Sequence, residues 1–141
     1  MTLITFNSWS DLEQHCIQMT GCKPFSGAGI NYRSENNTCL LRSVDGTDYY
    51  NDDLTNPETP HYTCQGKSGD QSETQLRFNE PLLHAEKVKH IYLYRVKKEA
   101  GKQFWIWYGK YTIAEKTTQR HPGEDGLMRN IIVLKLQRVA V

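Results

Sequence analysis

Between Asp48 and Gln71 the chain concentrates residues able to hold a flat heterocycle. Two aromatic-rich segments, Asp48 to Asp53 and His61 to Gln65, flank a turn carrying Pro57 and Pro60, and a glycine-punctuated loop, Gly66 to Gly69, follows. Aromatic faces can sandwich a nucleobase, and a nearby carboxylate can accept a hydrogen bond from an exocyclic amine. The same composition also describes a solvated, tyrosine-rich turn between two strands. On residue types alone, that plainer reading is favoured.

Other chemistries lack their residues. No Glu-x-Lys or Asp-x-Lys pair occurs, so the acid-x-Lys pattern of metal-dependent nucleases has no anchor. His15, His61, His84, His90 and His121 are dispersed without metal-site spacing, and no Gly-x-Ser-x-Gly elbow is present. Cys64 lies close to His61, but a cysteine in a strand is far more often a buried structural residue than a nucleophile. Gly27-Ala28-Gly29 is too isolated to read as a phosphate loop. The expectation is a binding domain with no catalytic activity, no metal and no cofactor.

At 141 residues the chain reads as one domain, with a hydrophobic content of 38% that suits a packed core. Cys16, Cys22, Cys39 and Cys64 form no C-x-x-C pair, and Met1 to Ser8 lacks a signal peptide's basic flank and apolar centre. Reduced thiols and an intracellular location follow, cytoplasmic in a bacterium or phage and nuclear in a eukaryote, with no membrane association. The net charge of +1 conceals an asymmetry: nine basic residues lie between Lys87 and Arg120 against Glu99 and Glu115, whereas Arg42 to Pro60 is acidic. A basic face of this kind suits phosphate, although lysines also protect strand edges from pairing.

The supporting elements follow from periodicity and punctuation. Ser8 or Ser10 as N-cap, Leu12, Cys16, Ile17 and Met19 at helical spacing, and Gly21 as terminator predict a helix from Trp9 to Met19. Strands are predicted over Thr38 to Val44, His61 to Gln65, Ile91 to Val96, Phe104 to Tyr108, Tyr111 to Ala114 and Asn130 to Val139, with Gly109 marking a bulge. A second helix is predicted within Gln71 to His84, and a polar loop over Thr117 to Gly126. Tyr92, Tyr94, Trp105 and Trp107 alternate as core aromatics would. The fold class is α+β: a strongly bent, mostly antiparallel sheet forming a partial barrel, flanked by two or more helices.

Several short motifs then line up in order. Gly29-Ile30 precedes Cys39-Leu40-Leu41-Arg42-Ser43; Tyr50-Asn51-Asp52-Asp53 precedes Tyr62-Thr63-Cys64-Gln65-Gly66; Gly69-Asp70-Gln71 precedes Asn79, Leu82 and Leu83. Ile91 to Arg95, Gly109-Lys110-Tyr111 and Asn130 to Val139 complete the series. This ordered set, spanning Gly29 to Val139, resembles the SRA (SET and RING finger-associated, or YDG) domain, a PUA-like fold that reads modified cytosine in DNA. The signature Tyr-Asp-Gly is replaced by Trp107-Tyr108-Gly109, Cys64 stands where a glycine is usual, and the segment after Gly66 is short. Such trimmed versions resemble the modules attached to modification-dependent restriction endonucleases.

The resemblance implies an SRA-like core over residues 29–139 after an N-terminal helical segment, 1–28. It implies that one nucleotide, carrying 5-methylcytosine or 5-hydroxymethylcytosine, is flipped out of duplex DNA into a pocket. Tyr50 and Tyr62 would sandwich the base, Asp53 would accept from its amine, and the Thr63 backbone would complete the edge contacts. Gln71 would fill the gap left in the stack, while Arg77, Lys97, Lys98 and Lys102 would touch DNA, with Arg33 and Arg42 as weaker phosphate contacts. A nuclease domain in cis or trans would be the partner. The rival classes are an RNA-binding or RNA-modifying domain with a related bent sheet, and a protein-interaction module.

Overall fold

The structure, a computed structural model, describes residues 3–24, 29–71, 79 and 90–139. Helix α1 (Trp9–Thr20) begins where the Ser8 side chain accepts a hydrogen bond from the Asp11 N–H, and ends at Gly21, whose left-handed φ of 73° lets its N–H reach the Ile17 carbonyl. Leu12 and Cys16, one turn apart, are its buried stripe. The strands are β1 (Ile4–Phe6), β2 (Ile30–Arg33), β3 (Thr38–Val44), β4 (His61–Thr63), β5 (His90–Glu99), β6 (Lys102–Pro122) and β7 (Met128–Arg138). The predicted second helix lies outside the described residues apart from Asn79, which is helical; α1 is the α-helix whose span is described.

The sheet runs β2-β3-β5-β6-β7-β4, with β1 also pairing to β6. All pairings are antiparallel except β3 with β5, which lie parallel from Thr38↔His90 to Val44↔Val96. The expected break at Gly109 is a bulge, not an interruption: Leu93 pairs with Gly109 but Tyr94 pairs with Trp107, and Gly109 has φ 106°. Strand β6 continues through it for 21 residues, and a second irregularity lies between Ile113 and Glu115. The polar loop expected over Thr117 to Gly126 is therefore mostly strand. Thr117, Gln119 and His121 alternate with the more exposed Lys116, Thr118 and Arg120, and a polar sequence forms a strand when its partner, here β7, supplies the ladder. The β5–β6 hairpin turns at Ala100 and Gly101, whose φ values of 51° and 77° match a turn with two left-handed residues.

Two apolar clusters cover opposite faces. One joins α1 to Leu40, Tyr94, Val96 and Trp107. The other collects Leu41, Leu93, Tyr108, Tyr111, Leu134 and their neighbours on the opposite face. All four cysteines are free and buried in these clusters, and burial pushes the Cys39 thiol up to about 12 and Cys16 to about 11. Among the described residues no helix is long and apolar enough to cross a membrane.

The sheet's terminal strands approach each other without a backbone ladder between them, so side chains bridge the seam. The Tyr62 hydroxyl on β4 donates to the Gly29 carbonyl at 2.9 Å and to the Arg42 carbonyl at 3.3 Å. The Asp52 carboxylate accepts from the Ser43 hydroxyl on β3 and from the Thr63 N–H on β4, both at 2.7 Å. A cleft opens along this seam.

Candidate modified-base pocket

The loop from Asp45 to Pro60 crosses the seam and divides the cleft into two adjoining cavities. The smaller, about 170 Å³, is lined by Gly29, Tyr50, Asp52, Tyr62, Gln65 and Lys67, with further wall from Tyr49. The larger, about 250 Å³, is lined by Ser43, Asp45, Asp52, Asp53, Thr55 and Arg95, among others. Val44, Thr47, Tyr50 and Asp52 belong to both. Arg95 closes the larger cavity by a two-pronged contact to Asp45 at 2.7 and 3.1 Å.

Both tyrosines expected to stack face the smaller cavity. Tyr62 is fully buried, and desolvation holds its phenol well above its usual range, so the hydroxyl stays a donor to Gly29 and Arg42. Tyr50 packs edge-on against Tyr49, and its oxygen accepts from the Gly66 N–H at 3.2 Å; burial raises its phenol too. Anchored rings lose little freedom when a base slides between them.

The carboxylate assignment changes. Asp53, the residue expected to meet the base amine, is exposed; its Oδ1 accepts from the Thr55 N–H at 3.0 Å, and its backbone pairs with His61. Hydrogen bonding to Thr55 lowers its pKa, and it lines only the larger cavity. Successive residues of an extended segment point to opposite sides, so only one of this pair can face the seam. That one is Asp52. Desolvation raises its pKa, against the opposing pull of its bonds to Ser43 and Thr63. The carboxylate takes bonds from the Ser43 side chain and from both the backbone and the side chain of Thr63, and its two oxygens offer about four acceptor sites, so capacity remains for a guest.

Thr63 is likewise occupied: its N–H donates to Asp52, and its hydroxyl accepts from the Asn51 N–H at 2.8 Å. It holds the carboxylate and the loop in place. Gln71, expected to fill the gap in the base stack, is instead a buried clamp. Its amide donates to the Cys64 and Gly66 carbonyls and accepts from the Ile132 N–H, which leaves no free group to reach DNA. Arg42 is half-buried: its register opposite Tyr94 places it on the α1 face, it contributes to the wall of the smaller cavity, and its Nε is buried without a partner among the described residues. Lys98 and Lys102 are exposed at the β5–β6 hairpin, and Lys97 lies 3.5 Å from Glu99. Arg77 lies outside the described residues.

Arg129 escaped the sequence reading. It is 2% exposed, and its guanidinium donates to the Gly66, Gly69 and Tyr49 carbonyls, gripping both loops that wall the smaller cavity. The available signal was alternation, which places Arg129 on the same inward face of β7 as Ile131. The far end of β6 supports the same loop: His121 Nε2 meets the Asp48 carbonyl at 2.8 Å, and Gln119 accepts from the Asn51 amide at 2.9 Å.

Residues 18–141 match the sequence model of the family described as "ScoMcrA-like, SRA domain". The chain belongs to this SRA domain family. No curated protein gives a significant match. Among solved structures, this SRA domain is similar to KRYPTONITE in complex with mCHG DNA and SAH, with 21% identity and a TM-score of 0.66, covering 99% of this chain and 32% of that one. It is equally similar to the sulfur-binding and SRA domains of ScoMcrA complexed with phosphorothioated DNA, with 21% identity and a TM-score of 0.66 over 100% of this chain and 40% of that one. The MspJI restriction endonuclease in complex with a 27-mer oligonucleotide matches at 17% identity and a TM-score of 0.65, covering 84% of this chain and 34% of that one. At these identities the likeness is one of fold, and the SRA domain spans well under half the length of each of these chains.

Proposed function

We propose that this SRA domain reads a modified cytosine in duplex DNA by flipping it into the seam cavity, and that it serves as the targeting module of a modification-dependent restriction system. The observation that carries this reading is the convergence of Tyr50, Tyr62 and Asp52 on one small cavity. Two rings supply stacking, and one carboxylate discriminates an exocyclic amine from a carbonyl. Complexes of similar folds with mCHG and phosphorothioated DNA support it. Catalysis belongs to a nuclease domain elsewhere in a longer protein or in a partner. This domain only binds.

The test is competition among duplexes carrying 5-methylcytosine or 5-hydroxymethylcytosine, unmodified duplex and single-stranded RNA at fixed salt. A modified duplex should bind best, with fluorescence rising from 2-aminopurine beside the target base. Equal affinity for modified and unmodified duplexes overturns the proposal. Because Tyr62 is 1% exposed and its hydroxyl bridges the seam, replacing it would disturb the fold as well as the cavity wall, so stacking is best tested at Tyr50, where Ala should lower affinity for the modified duplex by about 1–3 kcal/mol.

Binding should also depend on pH in a stated direction. The ionised Asp52 accepts from the amine, and burial raises its pKa, so affinity should start to fall at a pH above the ordinary aspartate range as Asp52 takes up a proton. Asp53 is shifted the other way and stays ionised there. A pH profile unchanged by Asp52→Asn would remove Asp52 from the contact.

The basic hairpin lies at the same end of the sheet as the larger cavity, where the Asp45 N–H bonds the Val96 carbonyl. Replacing Lys97, Lys98 and Lys102 with Ala should weaken all duplexes about equally and reduce the salt slope by about one for each lost phosphate contact. An unchanged slope would place DNA on another face.

A further inference from the structure

The pairing edge of a cytosine presents an amine donor with an acceptor, N3, beside it. Asp52 answers the amine, and N3 calls for a donor. Most donors around the smaller cavity are already spent. The Thr63 N–H goes to Asp52, the Gly66 N–H to Tyr50, and the Tyr62 hydroxyl to the Gly29 and Arg42 carbonyls. Gln65 remains, half-buried and lining the cavity.

The backbone beneath Gln65 is pinned on both sides. Its N–H donates to Asn79 Oδ1 at 2.7 Å, and its carbonyl accepts from Asn79 Nδ2 at 2.9 Å. Gln71 holds the flanking Cys64 and Gly66 carbonyls. The Gln65 side chain then hydrogen-bonds the Tyr62 phenol. That hydroxyl has given its only proton to backbone carbonyls, so the group that meets its oxygen must be a donor, and the amide is fixed with Nε2 toward Tyr62. One N–H of Nε2 is used there. The second has no partner among the described residues.

Gly29 completes the cradle. A Cβ at Gly29 would overlap Gln65 Nε2 and lie 3.3 Å from the Tyr62 hydroxyl oxygen. The Gly29 φ lies outside the left-handed region, so the space taken by the amide, not backbone strain, calls for glycine. Nε2 therefore sits between two residues that themselves line the cavity. The other donors of the wall are placed differently: Lys67 is exposed and lies 4.0 Å from Glu124, and Arg42 belongs to the α1 face.

We propose that Gln65 is a specificity residue that donates to N3 of the flipped base, and that with Asp52 it separates a C5-modified cytosine from the uracil carrying the same C5 group. Such a uracil shows the opposite pattern, a carbonyl in place of the amine and an N3–H in place of the acceptor, so it would set like groups against both side chains. The proposal rests on the base-flipping reading and adds to it the second half of the edge code.

The experiment uses the full chain and a duplex carrying 5-methylcytosine or 5-hydroxymethylcytosine, whichever the wild type prefers, with 2-aminopurine beside the target. The competitor carries the matching thymine or 5-hydroxymethyluracil opposite the same guanine. A mismatched base is easier to extrude, so a wild-type preference for the cytosine must arise in the pocket. Gln65→Leu keeps the bulk, removes the amide and should reduce that preference about tenfold, with the melting temperature near the wild type's. Gly29→Ala should reduce it too by displacing the amide, and should change nothing further in a Gln65→Ala background. Wild-type protein that gives no fluorescence rise would sink base flipping itself. A rise accompanied by no preference in the wild type, or by an undiminished preference in Gln65→Leu, would sink the role of Gln65 alone, as would a preference lost in Lys67→Met instead.

Discussion

Asp52→Asn is expected to remove most discrimination for modified cytosine while leaving the domain at least as stable as the wild type. The amide oxygen can still accept from the Thr63 N–H, and the amide nitrogen can still bond the Ser43 hydroxyl, so the seam stays bridged. What disappears is the charged acceptor facing the cavity, and an N–H donor can take its place against the base amine. That mismatch should weaken binding to the modified duplex by about 1–3 kcal/mol, roughly ten- to hundredfold. Stability moves the other way. The folded-state pKa of Asp52 is raised, so its contribution to stability is present below the unfolded-state pKa and is lost as pH rises through the folded one. At neutral pH the wild type therefore carries a buried charge that the fold disfavours, and Asn relieves it. Thermal melts and duplex affinities measured on the same samples decide the matter. A variant that melts lower and binds both duplexes equally poorly would make Asp52 a structural bridge and nothing more.

Arg129→Met should give the largest loss of both stability and binding. The guanidinium is the shared partner of the Gly66, Gly69 and Tyr49 carbonyls, from loops far apart in sequence. Methionine fills part of the volume but donates nothing; Gly66 keeps its bond from Gln71 and exposed Gly69 can turn to water, so the main cost, about 1–3 kcal/mol, falls on the half-buried Tyr49 carbonyl, with the tie between the loops lost as well. Lysine keeps the charge but not the planar fork that reaches separate acceptors, so Arg129→Lys should recover only part of the loss. The loops released by either change carry Tyr49, Lys67 and the Gly66 N–H that holds Tyr50, so the pocket should loosen before the sheet does. The check is the ratio of modified to unmodified affinity in Arg129→Lys at a temperature where it is fully folded. A ratio equal to the wild type's would confine Arg129 to general stability.

Much of this protein was legible along the chain because the relevant physics is local. The cap at Ser8, the glycine stop at Gly21 and the Leu12–Cys16 stripe define α1 within a few bonds of one another. Strand β3 matches its predicted span, since a run of apolar residues excludes most alternatives, and Gly109 marks a real bulge. Spacing within motifs likewise brought Tyr50 and Tyr62 to one cavity.

The errors share a physical origin. Strand β6 runs on through polar residues because β7 lies beside it, and a window of sequence does not contain its partner. The parallel pairing of β3 with β5 depends on chain crossing, not on either strand's composition. Choosing between adjacent aspartates requires knowing which side of the loop meets Ser43 and Thr63, residues that only folding brings near. Gln71, expected at the DNA, and Arg129, not singled out at all, both hold loop carbonyls for the same reason. Side chains at the seam must satisfy backbone groups that no strand pairs, and those groups exist only once the bent sheet has brought its two edges together. Residue types along the chain therefore specify which chemistry is possible, while the packing of loops and side chains across the open seam selects the side chains left free to perform it.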